Sequence, residues 1–88
     1  MSELPESLQS TAELLQAAFP NGITDGECDA VLKLLYEELS DRNLALVVAS
    51  TFGRDESRLL NDIYRIAGTE IPGLPEVQER LRSHGLDD

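Results

Sequence analysis

Cys28 and His84 carry the side chains that most often act as nucleophile, base or metal ligand, and the chain has one of each type. A reactive cysteine needs a neighbouring base and a positive environment that lowers the pKa of its thiol. Cys28 instead stands between Glu27 and Asp29, which would raise that pKa. A zinc site needs three or four ligands, and His84 has no second histidine beside it. We therefore expect a buried, inert Cys28, a structural His84 in a last helical turn, and no bound metal.

Pairs of acidic residues could support general acid–base catalysis if their carboxyl groups converged. The candidate pairs, Glu37 with Glu38 and Asp55 with Glu56, are adjacent in the sequence. Adjacent side chains on a helix point about 100° apart, so neither pair is expected to converge. A phosphate-binding loop needs glycines followed by a lysine, and no stretch of the chain has that pattern. The sequence therefore predicts a protein that is not an enzyme and needs no cofactor.

A row of arginines is the sharpest functional signal. Arg54, Arg58 and Arg65, together with Asn61, lie within about 60° of one another on a helix. Our first hypothesis is a non-enzymatic protein–protein interaction module, in which these three arginines contact an unknown protein partner. The acidic first half of the chain is a second candidate surface. A plain alternative is a solvated face on which Asp62 neutralises Arg58 and Arg65 at helical spacing.

DNA binding is the other functional hypothesis. The spacing of Val48-Ala49, Gly53 and Leu59 resembles a helix-turn-helix, in which a helix at about 55–67 would enter the major groove. Arg54 occupies a position where an apolar residue is usual, however, and Asp62 occupies another. The front of the recognition helix would also bring acidic residues, Asp55 first, against phosphates. The sequence therefore ranks this hypothesis second.

Composition and charge narrow the classes of partner. The 88 residues suit one domain, 1–88, and carry a formal net charge of −10. Residues 1–41 hold nine acidic residues and one basic residue, and residues 42–88 hold eight and six. Such a chain repels nucleic acid and anionic lipid. A single cysteine, no signal-peptide pattern near the start and no long apolar run predict a cytoplasmic protein that does not span a membrane. We also expect a monomer.

The element expected to organise the fold runs from Ser40 to Gly53. Its middle, residues 44–49, is six apolar residues in a row, which predicts a segment covered on several sides. A short apolar run of this kind could be a strand or a helix. Ser40 is a good N-cap, Asp41 complements the helix dipole, and Gly53 suits a helix end. The pattern thus predicts a central helix at about 41–52.

Four further helices are expected around it. Thr24 and Glu27 form a capping-box pattern at the start of the second helix, which is predicted to bury an arc from Cys28 to Leu39, including Tyr36, and to turn Ala30 and Lys33 outward. Leu39 is expected to end that helix directly before Ser40, which predicts a helical hairpin. The other expected helices cover Pro5–Phe19, Glu56–Ala67 with Asp55 as N-cap, and a segment from Pro75 to a Gly85-Leu86 ending. The predicted fold is an all-α, single-domain bundle of five short helices.

Several stretches, in order, resemble the small helical actinobacterial proteins classed as domain of unknown function 3349. These are LLQAAFPNGI at residues 14–23, AVLKLLYEELS at 30–40, the Thr69-Glu70-Ile71-Pro72 loop, and PEVQERLRSHGL at 75–86. The likeness covers nearly the whole chain, although residues 54–64 match poorly and Leu86 stands where an aromatic residue is usual. The resemblance implies a five-helix bundle in an actinobacterial cytoplasm. It implies no activity.

Overall fold

Five α-helices make up the computed structural model of the chain, which describes residues 6–85 apart from the side chain of Ser7. No strand occurs between residues 6 and 85. The helices are α1 (Glu6–Ala18), α2 (Asp25–Leu35), α3 (Asp41–Phe52), α4 (Glu56–Ile66) and α5 (Leu74–Ser83). The predicted all-α bundle is therefore confirmed. The predicted start at Pro5 and the predicted Leu86 ending lie outside the described residues.

Short-range hydrogen bonds start α2 and α3 where the sequence predicts. The Thr24 hydroxyl accepts a hydrogen bond from the Glu27 amide at 3.1 Å, and the Glu27 carboxylate accepts one from the Thr24 amide at 2.9 Å. The Ser40 hydroxyl accepts from the Asn43 amide at 3.2 Å. Gly53 ends α3 with φ of 66°, in the left-handed region that favours glycine. These boundaries confirm the predicted caps and the helical reading of the central apolar run.

The five helices form a closed ring around one core. α3 packs mainly against α1 and α4, α2 packs against α4 and α5, and α5 also packs against α1. In α3, the side chains of Leu44, Ala45, Val47 and Val48 are fully buried, so its apolar run lies in the core. The helix is one member of the ring, however, and the other four helices do not surround it as predicted. The remaining fully buried large side chains come from the other four helices: Leu8, Leu15, Val31, Leu32, Leu59, Ile63, Ile66 and Leu81.

The end of α2 differs from the prediction. The helix ends at Leu35 rather than Leu39, and residues 36–39 form turns in which the Glu38 and Leu39 amides both donate to the Leu35 carbonyl oxygen. Tyr36, the C-cap residue of α2, is 37 % exposed and does not belong to the buried face as predicted. The predicted antiparallel or steeply angled hairpin is absent, because α2 and α3 do not pack closely on each other; α4 packs against both of them instead.

The faces of α2 also differ from the prediction. Ala30 was expected to point outward, yet it is fully buried. Because α2 lies between α4 and α5, it is covered on two sides, and a small residue such as Ala30 allows close packing on the second side. Lys33 is half-buried instead of pointing to solvent. A single apolar arc therefore underestimates how much of this helix is enclosed.

Candidate functional site

Arg54 fastens the turn between α3 and α4 to the start of α2. Its Nη2 atom donates to the Ile23 carbonyl oxygen at 2.7 Å, and its Nη1 atom donates to Asp25 Oδ1 at 2.9 Å. This hydrogen bond and the charge of Arg54 lower the pKa of the Asp25 carboxyl. The same hydrogen bond raises the pKa of Arg54. Arg54 is thus committed to contacts within the fold.

Arg65 makes a second bridge between α4 and α2. Its Nη2 atom lies 3.0 Å from Asp29 Oδ1 and 3.4 Å from Asp62 Oδ1. The hydrogen bond to Asp29 is the main reason why the pKa of Arg65 is raised. The predicted pairing of Asp62 with Arg65 is therefore present, and Asp29 is an additional partner from another helix. More than half of the Arg65 side chain remains exposed, so it borders the protein surface.

Arg58 differs from the other two arginines of the row. It is exposed and makes no hydrogen bond or ion pair with another residue between 6 and 85. The predicted pairing of Asp62 with Arg58 is accordingly absent from that range. Arg58 lies between Arg54 and Arg65 along the helix, at the edge of an open cleft of about 330 Å³ between α2 and α4. It is the member of the row whose charge is available to a partner.

The cleft between α2 and α4 contains four aspartates, Asp25, Asp29, Asp55 and Asp62. Each is already engaged: Asp25 binds Arg54, Asp29 and Asp62 bind Arg65, and Asp55 accepts a hydrogen bond from the Ser57 amide at 3.0 Å. Within residues 6–85, no group of three or more histidine, cysteine or acidic side chains could hold a metal ion. The carboxylates of the cleft therefore serve helix capping and the joining of α2 to α4.

Cys28 forms part of the cleft floor, with 2 % of its surface exposed. Burial raises the pKa of its thiol to about 11. The charge of Arg54 acts in the opposite direction, and the carboxylates of Asp29 and Asp62 add to the rise. The predicted buried Cys28 is confirmed, although desolvation rather than the adjacent acids is the largest cause.

Alkylation of Cys28 by iodoacetamide at pH 8 should be at least about tenfold slower in the folded protein than in 6 M guanidinium chloride. The reason is that only the thiolate reacts, and the fold both raises the pKa of the thiol and covers the sulfur atom. Mass spectrometry over time measures the modified fraction. Equal rates in the two solvents would contradict the described environment of Cys28.

The solvent side of α4 carries a stripe formed by Arg58, Asn61 and Tyr64, which we call the α4 outer face. The three residues are spaced by three positions, so their side chains are neighbours on one side of the helix. The Tyr64 side chain is 65 % exposed. Sequence reasoning selected Arg58 and Asn61 but did not single out Tyr64, even though its position three residues after Asn61 places it in the same stripe. The α4 outer face is the candidate binding surface.

Lys33 is the second residue whose role the sequence did not indicate. Its Nζ atom donates to the carbonyl oxygens of Ala67 at 2.8 Å and Ile66 at 3.2 Å. Those carbonyls close the last turn of α4, where the helix dipole is negative. Lys33 therefore caps α4 from α2. His84, by comparison, is exposed and is the C-cap residue of α5, one position after the last helical turn in which it was predicted.

Comparison of this chain with protein-family models, with curated proteins and with solved structures finds no match. None of the helices between residues 6 and 85 is both long enough and apolar enough to cross a membrane.

Proposed function

We propose that this protein is a non-enzymatic protein–protein interaction module and that the α4 outer face is its contact surface. The observation that carries the proposal is the exposure of Tyr64, 65 % of whose surface is open to solvent. Arg58 lies six positions earlier in α4, next to Asn61, and makes no hydrogen bond or ion pair with another residue between 6 and 85. Tyrosine and arginine are the residue types enriched at the energetic centres of protein interfaces.

The paired arginines support this surface in different ways. Arg54 holds the turn that precedes α4 through its contacts with Ile23 and Asp25, so it fixes where the helix begins. Arg65 is bound to Asp29 and leaves part of its side chain at the edge of the stripe. We propose that Arg58 contacts a partner directly, that Arg65 borders the contact, and that Arg54 positions the helix.

Affinity capture from cell extract with immobilised protein tests this surface. Replacing Tyr64 by serine should reduce the recovery of retained proteins about tenfold, which corresponds to a loss of about 1.4 kcal/mol of binding free energy, as expected for a residue that contributes strongly to an interface. Arg58→Ala should reduce recovery in the same direction. Both residues are exposed, so neither change is expected to disturb folding. Quantitative mass spectrometry of the retained proteins gives the measurement.

Two matched variants provide the controls. Tyr36→Ser removes the other exposed tyrosine, which lies after α2. Arg42→Ala removes an exposed arginine of α3 that, like Arg58, has no partner among residues 6–85. Recovery should be unchanged in both. If no protein were retained specifically, or if the control variants lost as much recovery as Tyr64→Ser, the α4 outer face would not be the contact surface.

A helix-turn-helix DNA-binding regulator is the second candidate. One observation favours it: a three-residue turn that starts with the left-handed Gly53 joins α3 to α4, and α4 has a solvent-facing side. Two observations oppose it, since Arg54 and Arg65 are bound to carboxylates of α2 and the chain has a net charge of −10. A gel-shift experiment with mixed genomic DNA fragments at low salt tests this candidate, because protein–phosphate contacts are strongest at low salt. Absence of retardation would rule out DNA binding.

We also propose a cytoplasmic monomer related to the actinobacterial family of domain of unknown function 3349. The resemblance of the quoted stretches supports the family. The single cysteine, which stays a free thiol in this fold, supports a reducing compartment. The α4 outer face spans only two helical turns, which is too little area for a stable homodimer. Sedimentation at the chain mass of 9.7 kDa would support the monomer.

A further inference from the structure

A shallow groove lies beside α2 where the loop between α4 and α5 passes over it. Residues 68–72, together with Leu74 and Pro75, line the groove with Lys33 of α2, and its volume is about 610 Å³. The groove is on a different part of the surface from the α4 outer face, and we call it the loop groove.

The floor of the loop groove is apolar. Ile71 and Leu74 are half-buried, and each packs on the core with one side while the other side lines the groove. Pro72 and Pro75 flank them and are exposed. An apolar floor that remains partly open can take an aliphatic side chain from a partner.

Lys33 and Glu70 are the two charged residues that line the groove, and they differ in whether they already have a partner. The Lys33 ammonium is held by the carbonyl oxygens of Ile66 and Ala67, so it is already satisfied by the end of α4. Glu70 is exposed and makes no hydrogen bond or ion pair with another residue between 6 and 85. Lys33 keeps its positive charge, but that charge is held at the negative end of the α4 dipole. The unpaired charged side chain at the rim is therefore acidic, and the whole chain carries a net charge of −10.

From this combination we infer that the loop groove binds a basic, partly aliphatic peptide segment of a partner protein. An aliphatic side chain of the segment packs over Ile71 and Leu74, and a neighbouring lysine or arginine pairs with Glu70. The negative charge of the chain attracts such a segment over distance, whereas it repels an acidic one. This inference is separate from the proposed use of the α4 outer face.

Amide chemical shifts of ¹⁵N-labelled protein test the inference with three synthetic peptides. The probe is acetyl-Lys-Leu-Lys-Leu-Lys-amide; one comparison peptide has glutamate in place of lysine, and the other has glycine in place of leucine. The lysine–leucine peptide should shift the amides of residues 68–74 that carry an N–H, together with that of Lys33. The acidic peptide should shift none of them, and the glycine peptide should bind more weakly because it lacks the aliphatic contact.

A pair of charge-matched variants makes the test specific. Glu70→Gln should weaken binding of the lysine–leucine peptide about two- to fivefold, the range for one exposed ion pair. Glu13→Gln removes an equal charge from α1, where Glu13 is exposed, and should leave binding almost unchanged. Equal weakening by both variants, or shifts spread over the acidic surface, would overturn the inference. Shifts confined to the α4 outer face would overturn it while supporting the proposed function.

Discussion

Replacing Leu44 by alanine is expected to lower the free energy of unfolding by about 2–5 kcal/mol, the range for deleting a fully buried leucine side chain. Leu44 lies in α3 and has no exposed surface. A domain of this length has a total stability of only about 4–13 kcal/mol, so the variant should lose a large part of it. Urea unfolding followed by far-ultraviolet circular dichroism gives the value, with the slope against urea unchanged.

Leu46 provides the matched control for this prediction. It is in the same helix and would undergo the same chemical change, but it is only half-buried at the margin of the core. Leu46→Ala should therefore lower the free energy of unfolding by less than half as much as Leu44→Ala. If the two variants were equally destabilised, the described orientation of α3 in the ring of helices would be wrong.

Replacing Lys33 by methionine is expected to lower the free energy of unfolding by about 1.5–3 kcal/mol, the range for a hydrogen bond that involves a charged group. Methionine keeps most of the apolar stem of the side chain but cannot donate to the Ile66 and Ala67 carbonyl oxygens, which Lys33 reaches at 3.2 and 2.8 Å. The last turn of α4 would then lose its cap. Urea unfolding measures the total effect, and hydrogen exchange should show faster opening of amides in the last turn of α4.

Arg42 offers the control for the loss of a positive charge. It is exposed and has no hydrogen bond or ion pair with residues 6–85, so Arg42→Met should change stability by less than about 0.5 kcal/mol. If Lys33→Met also changed the free energy of unfolding by less than about 0.5 kcal/mol, the contact from Lys33 to the end of α4 would contribute nothing to stability. That result would contradict the role of Lys33 as the cap of α4.

The helix boundaries were predicted best where they depend on neighbouring residues. Thr24 and Glu27, Ser40, and Gly53 each act within four positions of the chain, so their types and order determine the cap. The same local reasoning failed at the end of α2. Tyr36 continues the apolar spacing of the helix, but α2 ends at Leu35, and α3 packs mainly against α1 and α4 rather than against α2. Local spacing cannot specify which distant helices a segment packs against.

The candidate site depended on contacts that sequence spacing cannot reveal. Lys33 meets α4 across 33 and 34 positions, and Arg65 meets Asp29 across 36. The acidic first half and the arginine row were predicted as two separate candidate surfaces, whereas the ring of helices sets α2 beside α4 and pairs their charges. The row itself could be predicted from helical spacing. Which of its members remains unpaired required the fold.

The exposure of Tyr64 also could not be predicted from sequence spacing. Its distance of three positions from Asn61 predicts that the two side chains share a face, but an exposed tyrosine and a buried one have the same spacing. Only the arrangement of α3 and α2 on either side of α4 determines that this face is open to solvent. Sequence spacing therefore predicted two of the three residues of the proposed binding surface, Arg58 and Asn61.

Site-specific photo-crosslinking at position 61 tests the proposed contact surface most directly. A benzophenone amino acid in place of Asn61 would lie between Arg58 and Tyr64, and the same amino acid in place of Arg42 would serve as the control. We expect illumination in cell extract to produce a discrete covalent adduct with another protein from position 61 and none from position 42. No adduct from position 61, or the same adducts from both positions, would contradict the α4 outer face as a binding surface.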